Sequence, residues 1–459
     1  MGSAGLNTAR DKMIDAGIDE TAIETFAHYY RLLEAGETGM IPESTIEPLD
    51  MERLEDVEVS DEDGAAAIAK TAIIKLNGGL GTSMGMERAK SLLCVRRGLS
   101  FLDIIARQVL HLRKEYDAPL PLIFMNSFRT SEDTREALAR YEDLKVEGLP
   151  LEFLQNKEPK LLVKDLSPVS HPRDPELEWC PPGHGDLYTA LHGTGLVVQL
   201  IEAGFDRVFV SNSDNLGAVP DARVAGWFAG SGAPFAIEAV RRTPSDRKGG
   251  HFARRRNDGR IVLRETAQTL EEDKDEVADL ERHRFTSTNN LWFDLRAMQH
   301  ELERRSGILG LPLIRNVKHV DPGDSSTPEV IQIETAMGAA IEIFEGARTI
   351  EVGRDRFVPV KTTNDLLLLR SDVYDLRKDF VLDQAADDIP FVDLDGSYYK
   401  HVGEFDKRFP EGAPSLKEAK SLTVDGDWTF GNGVRVVGNV ELAAKSAQRV
   451  APGTVLKDG

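Results

Sequence analysis

Cysteine is nearly absent from this 459-residue chain: Cys94 and Cys180 stand far apart and form no CxxC pair. That scarcity argues against a disulfide framework and a thiolate zinc site, and makes a reducing compartment, the cytoplasm, the expected setting. Both thiols are expected as small buried groups. No apolar run approaches the about 18 residues a membrane helix needs, and the N-terminus does not read as a leader, so no membrane partner is expected. Positive charge is also in deficit, with 56 basic against 77 acidic residues and a formal charge of -21. This balance argues against nucleic-acid binding, which rests on positive faces that displace counterions. An anionic substrate must instead be held by a local cluster of cations and a metal. Otherwise 41% hydrophobic and 29% charged residues are ordinary for a soluble globular protein long enough for two or three domains.

What the chain does have is glycine in one telling place. Thr71-Ala72-Ile73-Ile74 reads as a buried parallel strand and runs into Lys75-Leu76-Asn77-Gly78-Gly79-Leu80-Gly81-Thr82-Ser83-Met84-Gly85, with Lys90 closing the stretch. Glycine lacks the Cβ that blocks close approach and tolerates positive φ, so this loop can set backbone N–H groups against a phosphate. Its spacing is neither GxxxxGK[ST] nor a clean GxGxxG. A loop leaving the carboxyl end of such a strand is where open α/β sheets bind ligands.

Residues 1–69 read as a helical N-terminal segment: Ile23, Phe26, Ala27 and Tyr30 recur at helical spacing, and Asp50 to Gly64 is acidic enough for a solvated linker. Residues 70–384 alternate strand and helix, the grammar of an α/β domain with a mixed, mostly parallel sheet. Ser100 and Asp103 form a capping-box start ahead of the stripe Leu102, Ile105, Ala106, Val109 and Leu112. Strands are expected at Leu120 to Met125 and Arg207 to Val210, the latter after a helix stopping at Gly204. Asn257-Asp258-Gly259 signals a hairpin, which makes the sheet mixed beyond residue 240. Residues 385–459 change to short apolar pairs broken by Gly and Asp, which fits coils of a small β-helix whose flank would permit a homo-oligomer. A sandwich-like tail is the alternative.

Several side chains fall where chemistry would need them. Asp214 follows the apolar strand Val208-Phe209-Val210, and one carboxylate completed by phosphate oxygens and waters is a magnesium arrangement. Pro181-Pro182-Gly183-His184-Gly185-Asp186 is a rigid turn opening a helix, where N–H groups bind anions and His184 can donate to a phosphate or sugar oxygen. Lys361 ends the strand-like run Arg356 to Val360 as a solitary cation at a helix start, suited to phosphate or to a salt bridge with Asp365. Asn289, Asn290 and Glu334 suit sugar hydroxyls better than phosphate.

Taken in order from about residue 70 to 440, these blocks resemble the UTP:glucose-1-phosphate uridylyltransferase (UDP-glucose pyrophosphorylase) family of eukaryotic type. Lys75 to Lys90, Met125 to Phe128, Pro181 to Asp186, Ser211 to Ala218, Lys248 to Gly250, Thr288 to Trp292, Glu334 to Ala336 and Phe357 to Asp365 carry the likeness. The resemblance implies a Rossmann-like (GT-A-like) nucleotidyltransferase domain with a small C-terminal left-handed β-helix. It implies that Leu80, Gly81 and Lys90 hold UTP phosphates, that Gln155 reads uracil, and that Gly183 lies by the base and His184 by the sugar phosphate. Asn212 and Asp214 are implied on nucleotide and Mg²⁺, and Lys248, Gly250, Asn289, Asn290, Glu334 and Lys361 around glucose 1-phosphate. Two departures stand out: Arg88-Ala89 replaces the family's usual Gly-Pro before the loop lysine, which puts loop stiffness in question, and Ser83 stands where many bacterial nucleotidyltransferases carry Arg.

The expected reaction is direct in-line attack of the sugar phosphate on the UTP α-phosphorus, catalysed by Lys90, Lys361 and Asp214 with no enzyme nucleophile. A pyrophosphorylase for another UDP-sugar, broad or N-acetylhexosamine-specific, would share this fold and differ in the sugar pocket. A silent nucleotide-sugar binding protein is the alternative of another class.

Overall fold

In the computed structural model, which describes residues 4–243, 246 and 249–458, an eight-stranded sheet organises the chain. Its strands are β1 (Glu52–Arg53), β2 (Thr71–Asn77), β3 (Leu122–Asn126), β4 (Glu152–Leu154), β5 (Arg207–Asn212), β6 (Phe235–Arg241), β7 (Phe285–Asp294) and β8 (Arg348–Glu351), in spatial order β1-β8-β6-β7-β5-β2-β3-β4. Every pairing is parallel except those of β7, which runs antiparallel to both β5 and β6. The sheet is therefore mixed and largely parallel, as its alternating grammar suggested. The strand that mixes it is β7, however. The hairpin His251–Arg255 and Ile261–Arg264 lies outside, in a separate sheet with Ile46–Pro48.

Both faces of this sheet are covered, which is why its strands read as continuous apolar runs. Ile73, Phe124, Phe209 and Trp292 face one core; Ala72, Ile74, Ile123, Val208, Val210 and Leu291 face the other. The helix Phe101–Tyr116 starts on the complete Ser100/Asp103 capping box and buries its stripe in the first core. The helix Leu196–Glu202 stops before Gly204, at φ 89°.

The N-terminal helices Ala4–Asp15 and Glu20–Glu34 pack Leu6, Met13, Phe26 and Tyr30 against Leu161, Ile331 and Ile333. The acidic stretch after them is not a linker. It supplies strand β1 and enters the helix Asp61–Ala69, whose N-cap is Ser60. Beyond residue 385, Phe391–Leu394, Ser415–Asp425, Arg435–Ala443 and Val455–Lys457 stack in parallel, and Trp428–Phe430 pairs in parallel with Gln448–Val450. Parallel pairing of this kind excludes an antiparallel sandwich. Cys180 is buried as expected, whereas Cys94 is exposed: it sits on the short strand Cys94–Arg96.

A buried clamp ties the arm before the sheet to the body. Glu43 accepts from Arg264 (2.6 Å), Arg282 (2.7 Å) and His283 (3.0 Å), and the His251 ring lies 4.0 Å from that of His283. Glu43, His251 and His283 have the side-chain types of a metal site, with ligand-type atoms within 4.8 Å of one another. The carboxylate is already taken by two guanidinium groups, so a metal cation there would meet like charge. Removing Glu43 leaves the fully buried Arg264 without its nearest carboxylate. Glu43→Ala is expected to lose about 3–5 kcal/mol, read as a clearly lowered thermal unfolding temperature; an unchanged melting curve removes the clamp.

Candidate active site

The carboxyl ends of β2, β3 and β5 open into a cavity of about 310 Å³ lined by Gly78, Gly79, Lys90, Gln155, Gly183, His184, Asn212 and Asp214. Asn77, the last residue of β2, fixes its floor by donating to Asn126 Oδ1 (2.8 Å) and accepting from Ser213 Oγ (2.9 Å). Past it the loop turns through Gly81 (φ 68°) and Gly85 (φ 71°), and Lys90 N–H donates to Gly79 C=O (3.1 Å), folding the lysine back over the glycines. A Cβ on Gly78 would lie 2.7 Å from Gln155 Oε1, so the missing side chain makes room for that amide.

The Pro-Pro-Gly-His turn forms the opposite wall. Gly183 sits at φ 78°, and a Cβ there would meet Thr335 O at 2.6 Å, while Thr335 N–H donates to Pro182 (3.0 Å) and Gly185 N–H to Thr335 (2.8 Å). His184 Nδ1 accepts from Met337 N–H (3.0 Å), which in the neutral ring leaves the proton on Nε2 as a donor. Desolvation by the surrounding protein lowers the His184 pKa to about 4, so the ring is neutral at physiological pH. At the head of the following helix, Asp186 accepts from Asn156 N (2.6 Å) and Nδ2 (2.9 Å), joining this turn to the Gln155 segment.

A second cavity of about 390 Å³ adjoins the first. Its lining includes Asn212, Asp214, Gly250, Glu265, Thr286, Asn289 and Lys361. No strand leads to Lys361; only Pro359 makes an isolated bridge, to Asn215. The backbone N–H of Lys361 donates to Asp365 Oδ2 (2.8 Å), in the capping box that starts Thr363–Arg370, and the side chain lines the cavity. Glu265 faces it: burial raises this carboxyl, and Lys361 pulls it the other way.

Asn212 and Asp214 line both cavities and form their seam. There Lys90 Nζ meets Asp214 Oδ2 at 2.7 Å and also donates to Val360 C=O, while Val360 N–H donates to Asp214 C=O (3.1 Å). Behind the seam, fully buried Lys75 donates to Ser211 Oγ and Ala218 C=O, both at 2.7 Å. Burial lowers its pKa to about 7.

Nine of the residues singled out in the sequence thus converge: Lys90, Gln155, Gly183, His184, Asn212, Asp214, Gly250, Asn289 and Lys361. Others are placed differently. Gly78 and Gly79 line the first cavity, whereas Leu80 and Gly81 stand further along the turn. Asn290 is fully buried and donates to Glu238 (3.0 Å), behind the cavity wall. Glu334 accepts from Asn316 (2.9 Å) on the neighbouring strand and lines neither cavity. Lys248 lies outside the described residues. Glu265 and Thr286 went unnoticed because a Glu and a Thr among ordinary polar residues give no local signal; only the fold brings them to the cavity.

A model of the UTP–glucose-1-phosphate uridylyltransferase family matches residues 23–436. The chain belongs to this family. A UTP–glucose-1-phosphate uridylyltransferase from Hordeum vulgare is 38% identical over 399 residues, covering 86% of this chain and 82% of the plant protein. One from Saccharomyces cerevisiae is 38% identical, covering 83% and 76%. Among solved structures, a variant of Leishmania major UDP-glucose pyrophosphorylase in complex with UDP-glucose superposes with a TM-score of 0.94 at 41% identity, covering 100% of this chain and 99% of that one. A Trypanosoma brucei structure titled UDP-glucose phosphorylase gives 0.92 at 39%, covering 99% and 98%.

The departure from the uridylyltransferase pattern at Arg88-Ala89 has a structural counterpart. Ala89 N–H donates to Asp133 Oδ2 (3.0 Å) and Arg88 Nε to Asp133 Oδ1 (2.8 Å). A proline has no N–H to give, so here a carboxylate clamp restrains the loop instead of a ring.

Two outcomes follow from this geometry. Gly183→Ala, whose Cβ has no room beside Thr335, is expected to weaken nucleotide affinity at least about tenfold in calorimetric titration, the scale of a misplaced site wall. Because its pKa is lowered, His184 stays neutral as pH falls from 8 to about 5; ¹⁵N NMR of the ring is expected to report an Nε2–H tautomer across that range.

Proposed function

We propose that this chain transfers UMP from UTP to α-D-glucose 1-phosphate, reversibly giving UDP-glucose and pyrophosphate, with the seam between the two cavities as its reaction centre. The observation that carries the reading is the convergence of Lys90 from one cavity and Lys361 from the other on Asn212 and Asp214. Membership in the uridylyltransferase family and the likeness to a solved UDP-glucose complex support the substrates.

In this reading UTP lies along the first cavity. Gln155, seated on Gly78, and the backbone of Gly183 bracket the uracil, and the N–H groups of the glycine loop with Leu80, Gly81 and Lys90 hold the phosphates. Glucose 1-phosphate occupies the second cavity between Asn289, Gly250 and Lys361. The neutral His184 donates from Nε2 to a phosphate oxygen near the seam. A phosphate monoester is already an anion near neutral pH, so no residue need act as nucleophile or base. Lys361 steadies the attacking phosphate and Lys90 the departing pyrophosphate, and alignment does the rest.

Asp214 offers one carboxylate beside the Asn212 amide at the seam, an all-oxygen donor set that fits Mg²⁺ completed by phosphate oxygens and water. Asp214 would hold that ion, which neutralises charge on the triphosphate. Lys90 would then exchange its Asp214 contact for phosphate. Around this centre we read residues 70–384 as the catalytic domain, 1–69 as an N-terminal segment, and the parallel coils of 385–459 as a left-handed β-helix.

The test is pyrophosphate release from UTP and Mg²⁺ with a panel of glucose, galactose and N-acetylglucosamine 1-phosphates, the glucose ester being fastest; no release with any sugar defeats the reading. Asp214→Asn, Lys90→Ala and Lys361→Ala are each expected to lower turnover about 10²–10³-fold with near-normal folding.

A further inference from the structure

We propose that Glu238 and Arg356, a buried ion pair behind the second cavity, form a positioning pair that sets the sugar-phosphate half of the reaction centre. The proposal rests on the reaction assigned above.

Glu238 lies in the middle of β6 with no exposed surface, and a carboxylate there demands compensation. Arg356 supplies it as a two-pronged contact, Nε to Oε2 and Nη2 to Oε1, both at 2.7 Å. Asn290 adds a bond to Oε2 (3.0 Å) and Trp292 one to Oε1 (2.9 Å), so two residues of β7 and one of a distant loop meet on one carboxyl group.

Each attachment reaches the cavity. On the β7 side the register breaks opposite Glu238: Ile237 faces Leu291, but Ala239 faces Ser287. The surplus residues form a bulge held by Thr288 Oγ1 on Glu238 C=O (2.7 Å) and by the Asn290 amide. Bulges re-aim side chains, and here Asn289, at φ 58°, is turned to line the cavity.

On the other side Arg356 anchors the strap that leads to Lys361. Its carbonyl accepts from Asn215 Nδ2 (3.1 Å), and Asn215 Oδ1 accepts from Val358 N–H (2.9 Å), stitching the strap to the Asp214 turn. A Cβ on Gly217 would fall 2.3 Å from Asp355 O, which shows how closely turn and strap pack. The pair touches neither cavity, yet Asn289 and the strap that leads to Lys361 are placed through it. The wall of Gln155, Gly183 and His184 hangs on Asn126, Asp186, Thr335 and Met337 instead.

This separation gives a readout that a purely structural pair would not move. Glu238→Gln leaves Arg356 charged and buried and can fail to fold, so Glu238→Gln/Arg356→Gln, neutral on both sides, is made beside it. In the double variant kcat/KM for glucose 1-phosphate is expected to fall about 10²-fold, as for catalytic groups displaced by about 1 Å, while UTP affinity by calorimetry stays within about twofold, far below that loss. Wild-type values for both, or equal losses on the nucleotide and sugar sides, overturn the proposal. Wild-type protein that releases no pyrophosphate would instead defeat the assigned reaction. A crystal structure of the double variant judges positioning without turnover. Release of Asn289 from its left-handed conformation or displacement of Lys361 from the second cavity supports it; an unaltered cavity overturns it.

Discussion

The Lys90 ammonium, shared between the Asp214 carboxylate and the Val360 carbonyl, brings together three segments far apart in sequence. The glycine loop ends at this cation, the turn after β5 supplies the acid, and the strap before Thr363–Arg370 supplies the carbonyl. None of the three could hold its place alone, because each is irregular backbone. Their positions come from the regular structure behind them: parallel β2 and β5 are in register from Thr71 against Arg207 to Leu76 against Asn212, so both loops leave the sheet at the same level. Ligand sites at the carboxyl ends of parallel strands follow from this arrangement.

A chain with a formal charge of -21 must concentrate its cations to receive two anionic substrates. It does so at different depths. Lys90 and Lys361 line the cavities, whereas Lys75 is fully buried and spends its donors on Ser211 and on Ala218 beyond the acidic turn. The Lys75 pKa near 7 reflects burial first, with repulsion from Arg356 adding to it and Glu238 opposing it. Behind the site Glu238 and Arg356 neutralise each other and Lys75 is held by uncharged oxygens, while within it Lys90 pairs with Asp214. Desolvated pairs hold geometry, since breaking one exposes a lone buried charge to the low-dielectric interior.

The sheet, the glycine loop, the capped helix at Ser100 and the short strands after residue 385 were legible because each is a local pattern: period, capping residue or glycine spacing. Asn212 and Asp214 were legible because their motif falls at a strand end, whereas Gln155 and Gly250 were reached only through the family resemblance, and Lys361 was expected at the end of a strand that the structure does not form. Asn290 was misread for a physical reason. It sits beside Asn289 in sequence, but the bulge turns one toward the cavity and the other toward Glu238, and periodicity carries no trace of a bulge. Glu334 is an acidic group suited to sugar hydroxyls, but its carboxylate accepts from Asn316, a pairing across two strands that sequence alone does not reveal. The antiparallel strand was foreseen in kind but sought in the wrong hairpin, because a turn signal says that two strands pair and not which sheet they join.

The two cavities also differ in how they are built, and the difference bears on what each can tolerate. The wall by Gly78 and Gly183 depends on missing side chains: a methyl group at Gly183 would collide with the unyielding Thr335 backbone, and one at Gly78 would push the end of the Gln155 side chain from its place. Shape there is set by steric exclusion, which changes abruptly with any substitution. The sugar-phosphate side depends on a hydrogen-bonded carboxylate and a bulge, whose geometry can adjust by tenths of an ångström as partners change. A family sharing one nucleotide and varying in sugar would keep the first and alter the second. In the reaction proposed above, specificity for the sugar would rest on the polar shell around Glu238 and Asn289, and recognition of the nucleotide on the wall that Gly78 and Gly183 keep open.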